Sequence, residues 1–263
     1  MASLNYYITN LSSDYFISHG SSERTKINNS IEALKKNLKS EFGNDIKEIK
    51  IFGSFKRDTI LPGRIDYNSD VDVMIIFDHE RLKYTPETYR NQLKRFAENK
   101  YNRSETVKDF PTVRIDLSHI TLDLIPTKVE KYFFSDSYSI PDKNNNWMLT
   151  DPDGFNDKLT QVNSNNNSIV KPIIRLLKAW NCNNSYPFES FKLEVIIADK
   201  NFYNENIETG FYYVGKNLPT YNLTSNGEQK VKTLATSIDW VKEYLRREDI
   251  DSAKMWLHKI LPY

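Results

Sequence analysis

The segment from residue 53 to residue 77 reads GSFKRDTILPGRIDYNSDVDVMIIF and ends in a short apolar run. Alternate side chains of a strand point to the same face, so the apolar residues at every second position of this run share a buried face. Asp70 and Asp72 then lie side by side on the opposite face. Two neighbouring carboxylates repel each other, and a divalent cation removes that cost. This pattern predicts a metal-binding strand.

A third carboxylate occurs on a later predicted strand, residues 120–125. By the same alternation Leu122 and Leu124 face inward, so Asp123 faces outward. If this strand pairs beside the first, all three carboxylates lie on one surface. Such a cluster suits two metal ions roughly 3.5–4 Å apart, an arrangement that activates an attacking hydroxyl and stabilises a leaving pyrophosphate.

A phosphate-binding turn is predicted at Gly53 and Ser54, directly after the predicted strand 46–52. Glycine lets backbone N–H groups approach a phosphate closely, and the serine hydroxyl adds a donor. Arg57 follows on the same turn as a weaker candidate, since a surface salt bridge explains it equally well. An Asp-x-Asp pair alone is typical of edge strands, and Gly-Ser alone of ordinary turns. Their combination in this order favours a nucleoside triphosphate site that is not a Walker loop.

The remaining periodicity predicts an α+β fold with a mixed sheet first and helices second. A catalytic lobe with an N-terminal helix is expected over 1–150 and a helical lobe over 151–263, with the stretch 129–154 joining them. Residues 118–119 are expected to turn a hairpin between strands 112–117 and 120–125. Helices are predicted at residues 27–38, 86–101, 169–180, 190–202, 231–245 and 253–260.

The composition excludes several classes of protein. Lys and Arg total 36 against 35 Asp and Glu, a formal net charge of +1, so no nucleic-acid partner is strongly implied. The single cysteine, Cys182, excludes an intramolecular disulfide and argues against a Cys-based zinc site. No apolar run approaches the ~18 residues of a membrane span, and the N-terminal stretch lacks the features of a secretion signal. A cytoplasmic location without membrane partners is therefore expected.

The order of these motifs resembles the DNA polymerase β-like nucleotidyltransferases. The finer similarity is to the CD-NTases, bacterial relatives of cyclic GMP-AMP synthase and oligoadenylate synthase. It covers nearly the whole chain. The matching segments are GSFKRDT at 53–59, TLDLIPT at 121–127, NNWMLTDPDGFNDKL at 145–159, IVKPIIRLLKAWN at 169–181, ESFKLEVI at 189–196 and DSAKMWLHKILPY at 251–263.

The resemblance implies a polymerase β-like fold in which a helical lobe closes over the nucleotide. It implies that Asp70, Asp72 and Asp123 are the catalytic ligands of Mg²⁺, with Mn²⁺ as an alternative. The implied nucleotide ligands are Gly53, Ser54, Arg57, Lys178 and Ser190. Two of these have physical support of their own: Ser190 is the predicted N-cap of its helix, where an anion binds well, and Lys178 lies off the apolar stripe of its helix.

The activity that the resemblance implies is synthesis of a cyclic or short linear oligonucleotide second messenger from NTPs, with release of pyrophosphate. ATP, GTP or a pyrimidine NTP would be the substrate, and a separate effector would sense the product in anti-phage signalling. Three alternatives stay open: a template-independent transferase acting on RNA 3′ ends, a non-catalytic nucleotide-binding regulator, and a toxin–antitoxin transferase that modifies a protein or tRNA. The near-zero net charge argues against the first, the three carboxylates against the second, and the long helical half against the third.

Overall fold

The structure is a computed structural model that describes residues 2–101, 105–107, 112–131 and 136–262. The strands within these residues are β1 (Ile46–Phe52), β2 (Asp70–Phe77), β3 (Glu105–Val107), β4 (Val113–Leu117), β5 (Ile120–Lys131), β6 (Asp136–Pro141) and β7 (Trp147–Thr150). The helices are α1 (Asn5–Asp14), α2 (Ser22–Phe42), α3 (Gly53–Lys56), α4 (His79–Leu82), α5 (Pro86–Lys100), α6 (Gly154–Asn165), α7 (Val170–Asn183), α8 (Ser190–Ala198), α9 (Ile207–Lys216), α10 (Ser225–Arg246) and α11 (Ile250–His258).

The strands form one mixed sheet in the order β1-β2-β5-β4-β3, with β6 added to β5 and β7 added to β6. β2 and β5 run parallel, and the other pairs are antiparallel. A parallel pair needs a crossover of a dozen or more residues, which the segment containing α4, α5, β3 and β4 supplies. The α+β prediction is confirmed, as is the hairpin between β4 and β5.

The chain divides into two compact units. The first, the helical unit, contains residues 1–17, 58–67 and 158–263, and the second, the sheet unit, contains residues 18–57 and 68–157. Residues 1–17 and 58–67, which the sequence prediction placed in the lobe 1–150, cluster with residues 158–263. Local periodicity carries no sign of this grouping, and the predicted division near residue 150 stays a prediction.

In the second unit the core lies against β2. Residues 73–77 are buried on both faces of the strand, so its polar face is confined to the first three residues. The predicted apolar stripe of α5 is confirmed by the buried side chains of Tyr89, Leu93 and Phe96. Packing therefore leaves the start of β2 as the part of this strand where carboxylates stay hydrated.

In the first unit α1 packs against α7 and α9. The buried carboxylate of Glu208 fixes the residues before α1, because it accepts hydrogen bonds from Ser3 Oγ at 2.5 Å and Leu4 N at 3.0 Å. It also accepts one from Tyr212 Oη of α9 at 3.2 Å. Within the described part of the chain, no helix combines the length and apolar character that crossing a bilayer demands.

Several secondary-structure predictions differ from the structure. The stretch 129–154 was predicted to be a joining segment, but it contains the end of β5 together with β6 and β7. β6 forms backbone hydrogen bonds with β5, and β7 forms them with β6, so pairing with a neighbour defines these strands. The helix predicted over 190–202 ends at Ala198. The helices α1, α6 and α9 and the one-turn helices α3 and α4 were not predicted as helices. α1 and α9 pack against each other and against α7, and such packing supplies most of the stability of a short helix.

Candidate active site

The register between β2 and β5 sets the geometry of the candidate site. Asp72 pairs with Asp123, and Asp70 pairs with Thr121. Paired residues of parallel strands project to the same face of a sheet, so the three aspartates share one face and two of them are lateral neighbours. Asp123 is only 5% exposed, whereas Asp70 and Asp72 are half-buried. The backbone thus gathers carboxylates at the hydrated end of an otherwise buried strand.

Gly53 lies directly against this face. Its φ of +68° belongs to the left-handed region, and a Cβ at this position would come within 1.8 Å of Asp72 Oδ2. Phe52, the residue before it, pairs with Asp72 across β1 and β2. Glycine is therefore required twice here, for the backbone conformation and for the space that the carboxylate fills. Ser54 follows as the second residue of the short helix α3.

Arg114 on β4 is a member of this cluster that the sequence prediction missed. Its Nε donates to Asp123 Oδ1 at 2.9 Å and its Nη2 to Asp123 Oδ2 at 2.8 Å. The same Nη2 lies 3.8 Å from Asp70 Oδ2. The sequence contains a signal for this contact, because alternation along β4 puts Arg114 on the polar face. The β4–β5 hairpin then pairs Arg114 with Asp123. A bidentate pair of this kind is among the stronger hydrogen-bonded interactions in proteins.

The aspartates fit a hard divalent cation by donor type, since all of their ligand atoms are carboxylate oxygens. The glycine at position 53 keeps space beside Asp72. Among the residues that the structure describes, however, no three His, Cys, Asp or Glu side chains are gathered closely enough to hold a metal ion. Both oxygens of Asp123 are directed at the guanidinium of Arg114. The assignment of these aspartates as metal ligands stays a prediction.

Arg57, the weaker nucleotide-binding candidate, is buried. It ends the turn of α3, where its backbone N–H donates to the Gly53 carbonyl at 3.2 Å. Its guanidinium lies 5.3 Å from the ring centroid of Phe155. These contacts stabilise the turn that contains Gly53, and the nucleotide contact predicted for Arg57 remains untested.

Lys178 belongs to the other unit and is buried, contrary to the expectation that it lies off the core stripe. Its Nζ donates to Glu194 Oε1 at 3.0 Å, and Thr59 Oγ1 donates to the same oxygen at 2.8 Å. The reason is that α7 is covered on nearly every side, as α1, α8 and α9 all pack against it. Glu194 was not anticipated, because a partner from the next helix is invisible to local periodicity.

Ser190 was expected to be the N-cap of its helix. In the structure it is the first residue of α8, and Glu189 occupies the cap position without a side-chain cap hydrogen bond. Assignments of helix ends commonly differ by a residue. The hydroxyl therefore lies in the first turn of α8, and its predicted nucleotide contact stays a prediction.

Arg175, one turn before Lys178 on α7, is a structural contact of the same unit. Its Nε donates to the Ser12 carbonyl at 3.2 Å and its Nη1 to the Asp58 carbonyl at 3.0 Å. Burial lowers the pKa of this guanidinium to about 10, and the nearby charge of Asp58 opposes that shift. The side chain thereby joins α1 and residue 58 to the centre of the helical unit.

Comparison with known proteins places this geometry in a family. Residues 1–163 match the family model described as "Second Messenger Oligonucleotide or Dinucleotide Synthetase domain". The chain is 27% identical over 187 aligned residues to a "Probable cyclic nucleotide synthase" of Bacillus cereus, covering 58% of this chain and 55% of that protein. It is 26% identical over 192 residues to the "Cyclic AMP-AMP-AMP synthase" of an Acinetobacter strain, covering 70% and 54%. The chain thus spans about half the length of the curated relatives it matches.

Among solved structures, the CD-NTase CdnG of Bradyrhizobium diazoefficiens, in complex with GTP, matches with a TM-score of 0.72 and 12% identity over 98% of both chains. At this identity the likeness shows the fold, which is the CD-NTase form of the polymerase β-like fold that the sequence resemblance implied. Because the family model covers well over half of the sequence, the chain belongs to the family of second messenger oligonucleotide or dinucleotide synthetase domains.

Proposed function

We propose that this protein is a Mg²⁺-dependent nucleotidyltransferase that makes a cyclic or short linear oligonucleotide from NTPs and releases pyrophosphate. The observation that carries the proposal is the in-register pairing of Asp72 with Asp123 beside Gly53, in a chain of this family. The names of the relatives agree with it, since one is a cyclic trinucleotide synthase. Members of this family generally use divalent metal ions.

The reaction joins a ribose hydroxyl oxygen to the α-phosphorus of an NTP, while the bond from that phosphorus to the β-phosphate bridging oxygen breaks and pyrophosphate leaves. Asp70, Asp72 and Asp123 would hold the metal, which when bound stabilises the negative charge on the phosphates and makes the hydroxyl more acidic. Asp123, with its low exposure, positions the attacking hydroxyl and accepts its proton. Mn²⁺ offers the same oxygen-ligand chemistry as Mg²⁺.

The nucleotide contacts belong to the same proposal. Gly53 and Ser54 bring backbone and hydroxyl donors to the triphosphate, and Arg57, Lys178 and Ser190 are the further candidates. Because Lys178 is paired with Glu194, its contact with a phosphate requires that it share or leave this partner. The substrate is ATP, GTP or a pyrimidine NTP. A separate effector that senses the product, a role in anti-phage signalling and a cytoplasmic location complete the proposal.

The test is incubation of the purified protein with mixed, α-labelled NTPs and Mg²⁺ or Mn²⁺, with pyrophosphate measured and products identified by mass spectrometry. We expect phosphatase-resistant cyclic products, or short linear ones, and none from the double variant Asp70→Ala/Asp72→Ala. The matched control is Asp78→Asn, which changes an aspartate just beyond the other end of β2. Lengthening of added RNA would instead support a template-independent transferase that acts on RNA 3′ ends. NTP binding without turnover would support a non-catalytic nucleotide-binding regulator.

A further inference from the structure

The guanidinium of Arg114 occupies the position that a cation would need at Asp123. It engages both carboxylate oxygens, at 2.9 and 2.8 Å, and approaches Asp70 as well. Two of the three candidate metal ligands therefore share one protein cation. A carboxylate whose two oxygens are directed at a guanidinium presents little of its electron density to a metal ion.

The two partners differ in how freely they can separate. The side chain of Arg114 is 33% exposed, whereas that of Asp123 is 7% exposed. Arginine reaches its partner through a flexible stem, so its head group can move into water without disturbing the strand that bears it. Asp123 stays on a central strand between β2 and β4. Release of this contact would thus move the arginine and leave the carboxylate in place.

We propose that Arg114 is a displaceable counter-ion of Asp123, which a divalent metal must replace before the carboxylate can bind it. The inference rests on the proposed function, because it requires that Asp123 is a metal ligand. Arg114 is then a positioning residue: it orients Asp123 in the metal-free protein and sets the metal concentration at which the site fills. Replacing Arg114 with a neutral side chain removes the competitor, so it should tighten metal binding.

The direct test is calorimetric titration of Mn²⁺ into the metal-free protein without nucleotide, for wild type, Arg114→Gln and Asp123→Asn. We expect Arg114→Gln to bind Mn²⁺ about tenfold more tightly, which corresponds to the loss of one charge-assisted hydrogen-bonded contact. Asp123→Asn should bind more weakly than wild type. The control is Lys47→Gln, which removes one positive charge from the same sheet, where Lys47 pairs with Asp78 at 3.2 Å; its affinity should equal that of wild type.

A second readout uses thermal unfolding in EDTA and then in Mn²⁺. Arg114→Gln should unfold at a lower temperature than wild type in EDTA, because Asp123 loses its partner, and should gain more from added Mn²⁺. If this variant does not fold, Arg114→Lys carries the test, since it keeps the charge but lacks the planar fork; its affinity for Mn²⁺ should rise by about two- to threefold.

The outcomes separate the two proposals. If Asp123→Asn weakens Mn²⁺ binding but the Arg114 variants bind no tighter than wild type, the counter-ion role is wrong and the metal site stands. If Asp123→Asn binds Mn²⁺ as wild type does, Asp123 is not a ligand, and both the metal assignment and the role of Arg114 fail.

Discussion

The two units each contain one conspicuous group of charged side chains, and the groups differ in exposure and in balance. In the helical unit, Lys178 and Glu194 form a pair whose side chains are 7% and 1% exposed. In the sheet unit, three aspartates share a face with Arg114, and that face is partly open to water. The first group balances its charges internally and is closed to water. The second brings three carboxylates together with the guanidinium of Arg114, and Asp70 and Arg114 remain partly accessible to water.

This difference predicts whether a substitution acts first on stability or on activity. A buried ion pair stabilises only as a pair, because removing one partner leaves an uncompensated charge in a low-dielectric interior. A partly exposed group of charged side chains is hydrated at little cost, and such charges contribute little to stability. We therefore expect substitutions in the helical pair to affect folding first, and substitutions among the aspartates to affect activity first.

The largest effect is expected at Asp72. Asp72→Asn should lower the rate of pyrophosphate release by about 10³-fold, because a bound metal contributes several kcal/mol to the transition state. The melting temperature should change little, since the residue is only half-buried. Asp78→Asn, at the other end of β2, serves as the control and should retain activity. If Asp72→Asn kept wild-type turnover, Asp72 would not be a catalytic residue.

The next effect is expected in the helical pair. Glu194→Ala should lower the free energy of unfolding by about 3–5 kcal/mol, because Lys178 keeps its charge without a partner. The double variant Lys178→Met/Glu194→Leu should recover a large part of that loss, and urea unfolding of the single and double variants measures it. Additive losses would show that the two side chains do not act as a pair.

A smaller effect is expected at Gly53. Gly53→Ala should lower the free energy of unfolding by about 1 kcal/mol, because alanine is strained in the left-handed backbone conformation. The added Cβ must also displace Asp72, so activity should fall by about 10²-fold. Gly43→Ala is the matched control: its φ is +51°, yet an added Cβ would have no atom within 4 Å. Both variants should lose stability, but only Gly53→Ala should lose activity. Equal activities in steady-state assays would count against the contact with Asp72.

The smallest effect concerns pH. Burial lowers the pKa of His79 below its usual value, and the charge of Lys128 adds to the shift. The unfolded chain therefore binds more protons at this site as the pH falls below about 6.5, and stability decreases from pH 7 to pH 5. His79→Gln should flatten this slope by less than about 1 kcal/mol.

Tyr89→Phe is the control for His79, because it removes a partner 3.1 Å from His79 Nδ1 but keeps the ring buried. Its slope should match that of wild type. The slope is measured by urea unfolding across this pH range, and the background from His258, whose pKa burial also lowers, is common to all three proteins. If the dependence of the unfolding free energy on pH is unchanged in His79→Gln, another group causes the loss of stability in acid.

Alternation was enough to predict which residues of β2 and β5 share a face. A period of two assigns each side chain to one side of the sheet, and the parallel pairing then brings Asp72 beside Asp123. The same alternation puts Arg114 on the polar face of β4, but its partner depends on the register across the hairpin. The pattern thus predicted the residues and left their mutual contacts open.

The helical pair could not be predicted in this way. Lys178 looks exposed when its helix is considered alone, and it is buried because neighbouring helices cover α7 from several sides. Strands β6 and β7 were not predicted from the sequence for a related reason. They are short, and an Asn-rich turn separates them, so what defines them is hydrogen bonding to a neighbouring strand rather than their own periodicity.

The metal site is tested most directly by anomalous diffraction from crystals grown with Mn²⁺ and a non-hydrolysable NTP analogue. We expect a manganese peak within coordination distance of Asp72 and Asp123, with the guanidinium of Arg114 moved away from Asp123. A manganese ion bound elsewhere, or none at these aspartates while the nucleotide is in place, would contradict this expectation.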